Sequence, residues 1–206
     1  MAATQAEIDR LATLALPPQR LLIGSTRPEG EAAPVAVLSP IDGRALTTLA
    51  AASEADVARA TSAARATFDA GGWSRAAPAT RKAVLHRLAD LIEKHALELA
   101  VLGVRDNGTE ISMALKAEPG SAAGTFRYYA EALDKVYGEI APTADNILAL
   151  IHRDPVGVVG AIVPWNFPLM IGAWKIAPAL AAGNSVVLKP AETASLTLIR
   201  LAELAL

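Results

Sequence analysis

The chain has no cysteine. That excludes a disulfide framework, a zinc-finger-type site and any thiol nucleophile within these residues. It also lacks an excess of charge of either sign. Nineteen lysines and arginines stand against 21 aspartates and glutamates, and the basic residues form no stripe. This argues against nucleic acid or an anionic membrane surface as a partner. No GxGxxG fingerprint is present and no phosphate-cradling GxxxxGKS/T loop. The three histidines, His86, His95 and His152, are not at metal-ligand spacing, and no internal repeat or low-complexity tract occurs. The stretch 156–188 is strongly apolar, but Pro164, Asn166, Pro168, Lys175, Pro178 and Asn184 interrupt it. No run in it reaches the ~18–20 residues needed to span a membrane. The N-terminus shows no basic segment leading into an apolar one, so no signal peptide and a cytoplasmic location are expected.

What is present is 206 residues, 52% of them hydrophobic. This is enough for one large domain or two small ones with a sizeable core. Residues 1–20 are expected to form a loosely packed helix ended by Pro17 and Pro18. PVAVLSPIDGRALTTLA has two β-prone runs around Asp42-Gly43, a hairpin signal. Ser53 with Asp56 forms a capping box for a helix in which Val57, Ala60, Ala64 and Phe68 recur at helical spacing, stopped by Gly71 and Gly72. A longer helical region from about Ala79 to Arg105 places Leu85, Leu88, Ala89 and Ile92 on one face. TFRYYAEALDKVYGE is expected to be a further amphipathic helix ending at Gly138, with its aromatic side chains mostly in the core.

After Pro142 the texture changes. NILALIHR reads as a strand. Val156 to Val163 reads as a second one, apolar enough to be covered on both faces. A helix follows from Pro168, with proline at its favoured first turn and a kink expected at Pro178. SVVLK is then the next strand. Strand, helix and strand in this order form a βαβ unit with parallel strands. The expected class is therefore α/β with a doubly wound sheet. Such sheets bind ligands beyond the carboxyl ends of their strands. Here those ends are Val163-Pro164-Trp165-Asn166 and Lys189-Pro190-Ala191-Glu192.

VPWNFP sets one amide, Asn166, on a stiff path between two prolines. A residue before proline is biased to extended conformations, so Val163 and Phe167 are both expected there. The amide either caps a backbone group in a turn or is a donor aimed at a substrate. Lys189 and Glu192 are either a solvated turn or a cofactor contact. A carboxylate there suits ribose hydroxyls and repels a 2′-phosphate, which favours NAD over NADP.

GVVGAIVPWNFPLMIGAWKIAPALAAGNSVVLKPAETASL resembles the corresponding segment of the NAD(P)-dependent aldehyde dehydrogenase superfamily. The likeness extends through SPIDGRAL, AARATFDAGGWS, RKAVLHRLADLIEKH and FRYYAEALDKVYGE. The last two lean toward the branch oxidising γ-glutamyl-γ-aminobutyraldehyde and related ω-amino aldehydes. The resemblance implies the N-terminal part of a Rossmann-like NAD-binding domain, incomplete here. Residues 1–140 would supply its hairpin and helices, 141–154 an oligomerisation strand, and 155–206 the first βαβ unit. It implies oxidation of an aldehyde to a carboxylic acid through a cysteine thiohemiacetal, in an enzyme that is a homo-oligomer when complete. Asn166 takes the place of the family's oxyanion-hole asparagine. Ile162, Val163, Pro164 and Trp165 would lie along the cofactor together with Asn166, and Lys189 and Glu192 on its adenosine ribose. Phe167, Met170 and Trp174 resemble positions lining the aldehyde channel. The family's cysteine, glutamate base and pyrophosphate turn follow its LKPxE region, and this chain ends at Leu206 without them. The chain alone is therefore expected to be inactive and prone to aggregate or misfold. The alternative is a non-catalytic dinucleotide-binding or assembly subunit, or a decayed gene product.

Overall fold

The computed structural model describes residues 4–206. Its elements, in chain order, are α1 Gln5–Ala12, β1 Ala32–Leu38, β2 Ala45–Ala51, α2 Glu54–Ala70, α3 Pro78–Lys94, α4 Ala96–Asn107, α5 Ile111–Ala132, β3 Glu139–Ala141, β4 Ala149–Ile151, β5 Val158–Ile162, α6 Pro168–Ala181, β6 Ser185–Lys189 and α7 Leu196–Leu204. The strands form three two-stranded sheets: the antiparallel pairs β1–β2 and β3–β4, and the parallel pair β5–β6. Among the described residues no helix is long and apolar enough to cross a membrane.

Apolar periodicity explains the core. Leu85, Leu88, Ala89 and Ile92 on α3 meet Ala122, Ala123, Phe126 and Ala130 on α5, with Leu169, Ala173 and Ala177 of α6 completing the layer. Each large side chain fully buried there contributes about 1.5–3 kcal/mol. A second cluster of Val37, Leu49, Leu102 and Leu196 ties the β1–β2 hairpin to α4 and α7. The hairpin turns at Asp42-Gly43 as expected, with Gly43 at φ 72° where a side chain would be strained. The α2 capping box also forms, with the Ser53 side chain accepting from the Asp56 N–H.

Several expectations need correction. α1 ends at Ala12, before the prolines, with the Thr13 hydroxyl donating to the Asp9 carbonyl. The long helix breaks at His95, where ψ is 17° and the imidazole meets Glu98, so α3 and α4 are separate. α5 begins at Ile111 and stops at Ala132, short of Gly138, and Tyr128 on it and Tyr137 beyond it are exposed instead of in the core. On α2 the buried residue is Asp56, whose carboxylate accepts from the Glu31 and Ser53 N–H groups, while Val57 is exposed. NILALIHR is strand only over β4. β5 is shorter than Val156–Val163, and its Gly160 and Ile162 lie exposed instead of covered.

Candidate active site at the carboxyl ends of the parallel strands

β5 and β6 finish side by side. Ile162 is the register partner of Lys189, and the Val163 N–H donates to the Lys189 carbonyl at 3.0 Å. The topology thus brings the PWN loop and the KPAE turn to one place. Within it Val163 is buried in the core cluster, so only its backbone borders the loop. Pro164 and Asn166 are exposed, Trp165 is 64% exposed and Ile162 73%. Among the described residues the Asn166 carboxamide has no hydrogen-bond partner, so it is not spent as a backbone cap. Phe167 and Met170 are half-buried and Trp174 is exposed, spaced three and four apart along one face of α6.

Phe167 is not extended. It sits at φ 49°, ψ 53°, the one non-glycine residue of positive φ among those described. Such a backbone costs about 1–3 kcal/mol and persists only where surrounding contacts impose it. The first turn of α6 follows directly. Phe167 makes no side-chain cap and Pro168 has no N–H, which leaves the amides of Leu169 and Met170 unpaired within the helix. Glu118, on α5, supplies the missing acceptor. Its Oε2 receives the Leu169 N–H at 2.9 Å and the Met170 N–H at 3.4 Å. The side chain is 2% exposed, and Oε1 finds no partner. Burial pushes the Glu118 carboxyl above the usual carboxylate range, against the downward pull of those two amides.

The other end of α6 is held as firmly. The Trp73 indole N–H donates to the Leu180 carbonyl at 3.1 Å and Arg81 Nε to that of Ala181 at 3.2 Å. Asn184 donates to the Ala179 carbonyl at 3.0 Å while its Oδ1 accepts the Gly157 N–H at 2.9 Å. A carboxyl group at the positive end and a guanidinium at the negative end both suit the helix dipole.

Lys189 and Glu192 are exposed and paired with each other. The Lys189 ammonium holds the Glu192 carboxyl below its ordinary range. The sequence reading assigned no tethering role to Glu118, Trp73, Arg81 or Asn184. The signal for Glu118 was there: Ala114, Glu118, Ala122 and Phe126 form one i, i+4 row, so a carboxylate occupies a core position of α5. Starting that helix at Thr125 hid it.

Residues 27–206 match the sequence profile of the aldehyde dehydrogenase family. The chain belongs to this family. The NADP/NAD-dependent aldehyde dehydrogenase PuuC of Escherichia coli (strain K12) is 48% identical over 96% of the chain. Gamma-glutamyl-gamma-aminobutyraldehyde dehydrogenase from Burkholderia cenocepacia J2315 superposes with a TM-score of 0.93 over 98% of the chain, at 46% identity. A mutant of P. syringae AldA, an indole-3-acetaldehyde dehydrogenase solved in complex with NAD+ and IAA, gives 0.95 over 99%, at 45% identity. The chain covers 40% of the first of these relatives and 41% of each of the other two. It is thus an aldehyde dehydrogenase sequence, with the mixed helix-and-strand fold of part of a Rossmann-like domain, that spans under half of the relatives it matches.

Proposed function

We propose that this chain is part of an NAD-dependent aldehyde dehydrogenase that oxidises an aldehyde to the carboxylic acid, with the thiol nucleophile and the base supplied by residues outside it. The observation that carries the proposal is Asn166: a side-chain amide uncommitted among the described residues, at the convergence of two parallel strand ends. A thiolate adding to an aldehyde turns the carbonyl oxygen into an alkoxide. An N–H donor already aimed at that oxygen stabilises the transition state by about 3–4 kcal/mol. The loop geometry supports such preorganisation, because Phe167 is strained and α6 is held at both ends.

For the cofactor, the exposed carboxylate of Glu192 has the chemistry that a ribose diol requires, and exposed Ile162 and Trp165 offer apolar faces beside Pro164. NAD, when bound, supplies the hydride acceptor. Lys189 would hold the other side of the ribose, the Val163 backbone and Asn166 would border the cofactor, and Phe167, Met170 and Trp174 would line the aldehyde's approach. Glu192 favours NAD over NADP. Of the relatives named above, the Burkholderia cenocepacia enzyme supports γ-glutamyl-γ-aminobutyraldehyde or a related ω-amino aldehyde as substrate, whereas AldA acts on indole-3-acetaldehyde. A homo-oligomer built through the 141–154 segment, in the cytoplasm, belongs to the same proposal. Its support is the exposure of Ile147, Leu148, Leu150 and Ile151 there.

Without a cysteine the 206-residue chain forms no thiohemiacetal and is expected to show no NAD-dependent aldehyde oxidation. Joining residues 1–206 in frame to the remaining part of the E. coli relative should restore it, followed as NADH formation. Asn166→Ala in that chimera is expected to lower kcat about 10²–10³-fold with little change in KM. A soluble chimera whose Asn166→Ala form keeps full kcat would remove the oxyanion role.

A further inference from the structure

We infer that Glu118 is a positioning residue: its buried carboxyl group holds the first turn of α6 and, through it, the loop that presents Asn166. This rests on the reading of Asn166 as the oxyanion donor. Four observations converge on it. α6 starts without the aid of its own residues, since Phe167 offers no side-chain cap and Pro168 has no N–H. The two amides that follow are both taken by one oxygen from another helix, 2.9 and 3.4 Å away. That oxygen is delivered from a core position, because Glu118 is 2% exposed. Finally, Phe167, which joins Asn166 to this turn, is held in a left-handed conformation that its own chain does not favour.

The anchor is enclosed by other helices as well. A Cβ placed on Gly103 of α4 would lie 3.8 Å from both Glu118 Oε1 and Thr197 Cγ2 of α7, so α4 and α7 both border the carboxyl group. The physical consequence is local. Removing Glu118 leaves the Leu169 and Met170 amides without an acceptor where water has little access. It also frees the αL residue that sets the direction of Asn166.

The test uses the deuterated, ¹⁵N-labelled chimera of residues 1–206 with the remaining part of the E. coli relative, and TROSY spectra. Amide hydrogen exchange at Leu169 and Met170 and the side-chain ¹H–¹⁵N resonances of Asn166 are compared among wild type, Glu118→Gln and Glu118→Ala. Glu118→Ala is expected to speed exchange at the two amides about tenfold or more. The α3 amides of Leu88 and Ile92 should stay within about twofold, and the Asn166 side-chain pair should shift or broaden. Glutamine keeps a neutral acceptor of roughly half the strength, so Glu118→Gln should give a smaller, several-fold rise confined to the same two amides, with Asn166 close to its wild-type position.

A merely structural role would accelerate all amides by one common factor, and that result overturns the proposal. So does unchanged exchange at Leu169 and Met170, or an unmoved Asn166 resonance. If Glu118→Ala does not fold, Glu118→Gln decides alone: a rise confined to the two amides supports the anchor, and no rise overturns it. Loss of the oxyanion role in the chimera would leave these exchange results standing, so the two ideas fail separately.

Discussion

Burial sets the protonation of Asp106 at the end of α4. Its Oδ2 accepts the Leu196 N–H at 2.7 Å, Oδ1 has no partner, and the residue is buried. Burial pushes this carboxyl up to about 6, against the downward pull of the Leu196 and Ser195 amides. The folded chain thus binds this proton more tightly than the unfolded one. Asp106 favours folding below about pH 4, and that contribution is lost as pH rises through about 6. Asparagine cannot ionise. The stability of Asp106→Asn relative to wild type should therefore improve by about 2 kcal/mol between pH 4 and pH 7.5, read as a change in the Tm difference by calorimetry. Equal Tm differences at both pH values would show that the group titrates as an ordinary aspartate. Phe167 carries the opposite lesson at this scale. The preference of a pre-proline residue for extended backbone is real, but Phe167 stands in the left-handed region before a turn whose amides are held by Glu118 of another helix. No local pattern in VPWNFP contains that information.

Among the elements, α6 is the one on which the site depends, and its C-terminal end is tied to the start of β5 by a single side chain. Asn184 serves both, accepting from Gly157 and donating to Ala179. Asn184→Ala orphans a buried N–H and removes a donor, so it should cost about 2–3 kcal/mol in a denaturant titration with an unchanged m-value. A loss below about 0.5 kcal/mol would show that water substitutes for the amide. The βαβ unit itself was legible in the sequence, because the apolar runs, Pro168 and Gly183-Asn184 mark its segments directly. So were the Asp42-Gly43 hairpin and the Ser53 cap, which are local signals. The ends of α5 were not. Its first part contains Pro119, a residue type that disfavours helix interiors, yet the helix runs through that position. The ends of VPWNFP and LKPAE could be placed together from topology alone. The groups that hold α6 could not: the i, i+4 row of α5 marks Glu118 as a core position, but no spacing rule encodes that Glu118, Trp73 and Arg81 reach α6.

For the whole molecule, the question is what the surface does with its exposed apolar strands. β3 and β4 form a hairpin of two three-residue strands in which Ile140 faces Leu150 and Glu139 faces Ile151. Ile140, Ile147, Leu148 and Leu150 are exposed, and both outer edges of the hairpin present unpaired backbone groups. A two-stranded sheet is at best marginally stable in water, and open apolar edges invite pairing with another chain. β5–β6 offers a second pair of edges, with Ile162 exposed beside them. The two regions can be told apart. The 206-residue chain is expected to sediment as a species larger than a monomer, with a weight-average mass that rises with concentration. Ile140→Lys together with Leu150→Lys places like charges directly opposite on the β3–β4 face, which opposes edge pairing there. If the hairpin drives association, the double variant should sediment as a monomer with unchanged far-UV circular dichroism. If the sedimentation pattern persists in the double variant, β5–β6 is the sticky surface and the oligomerisation role of 141–154 falls. Because the substitutions lie outside the α3–α5–α6 core, the mass of the particle reports on the surface and not on whether the core has formed.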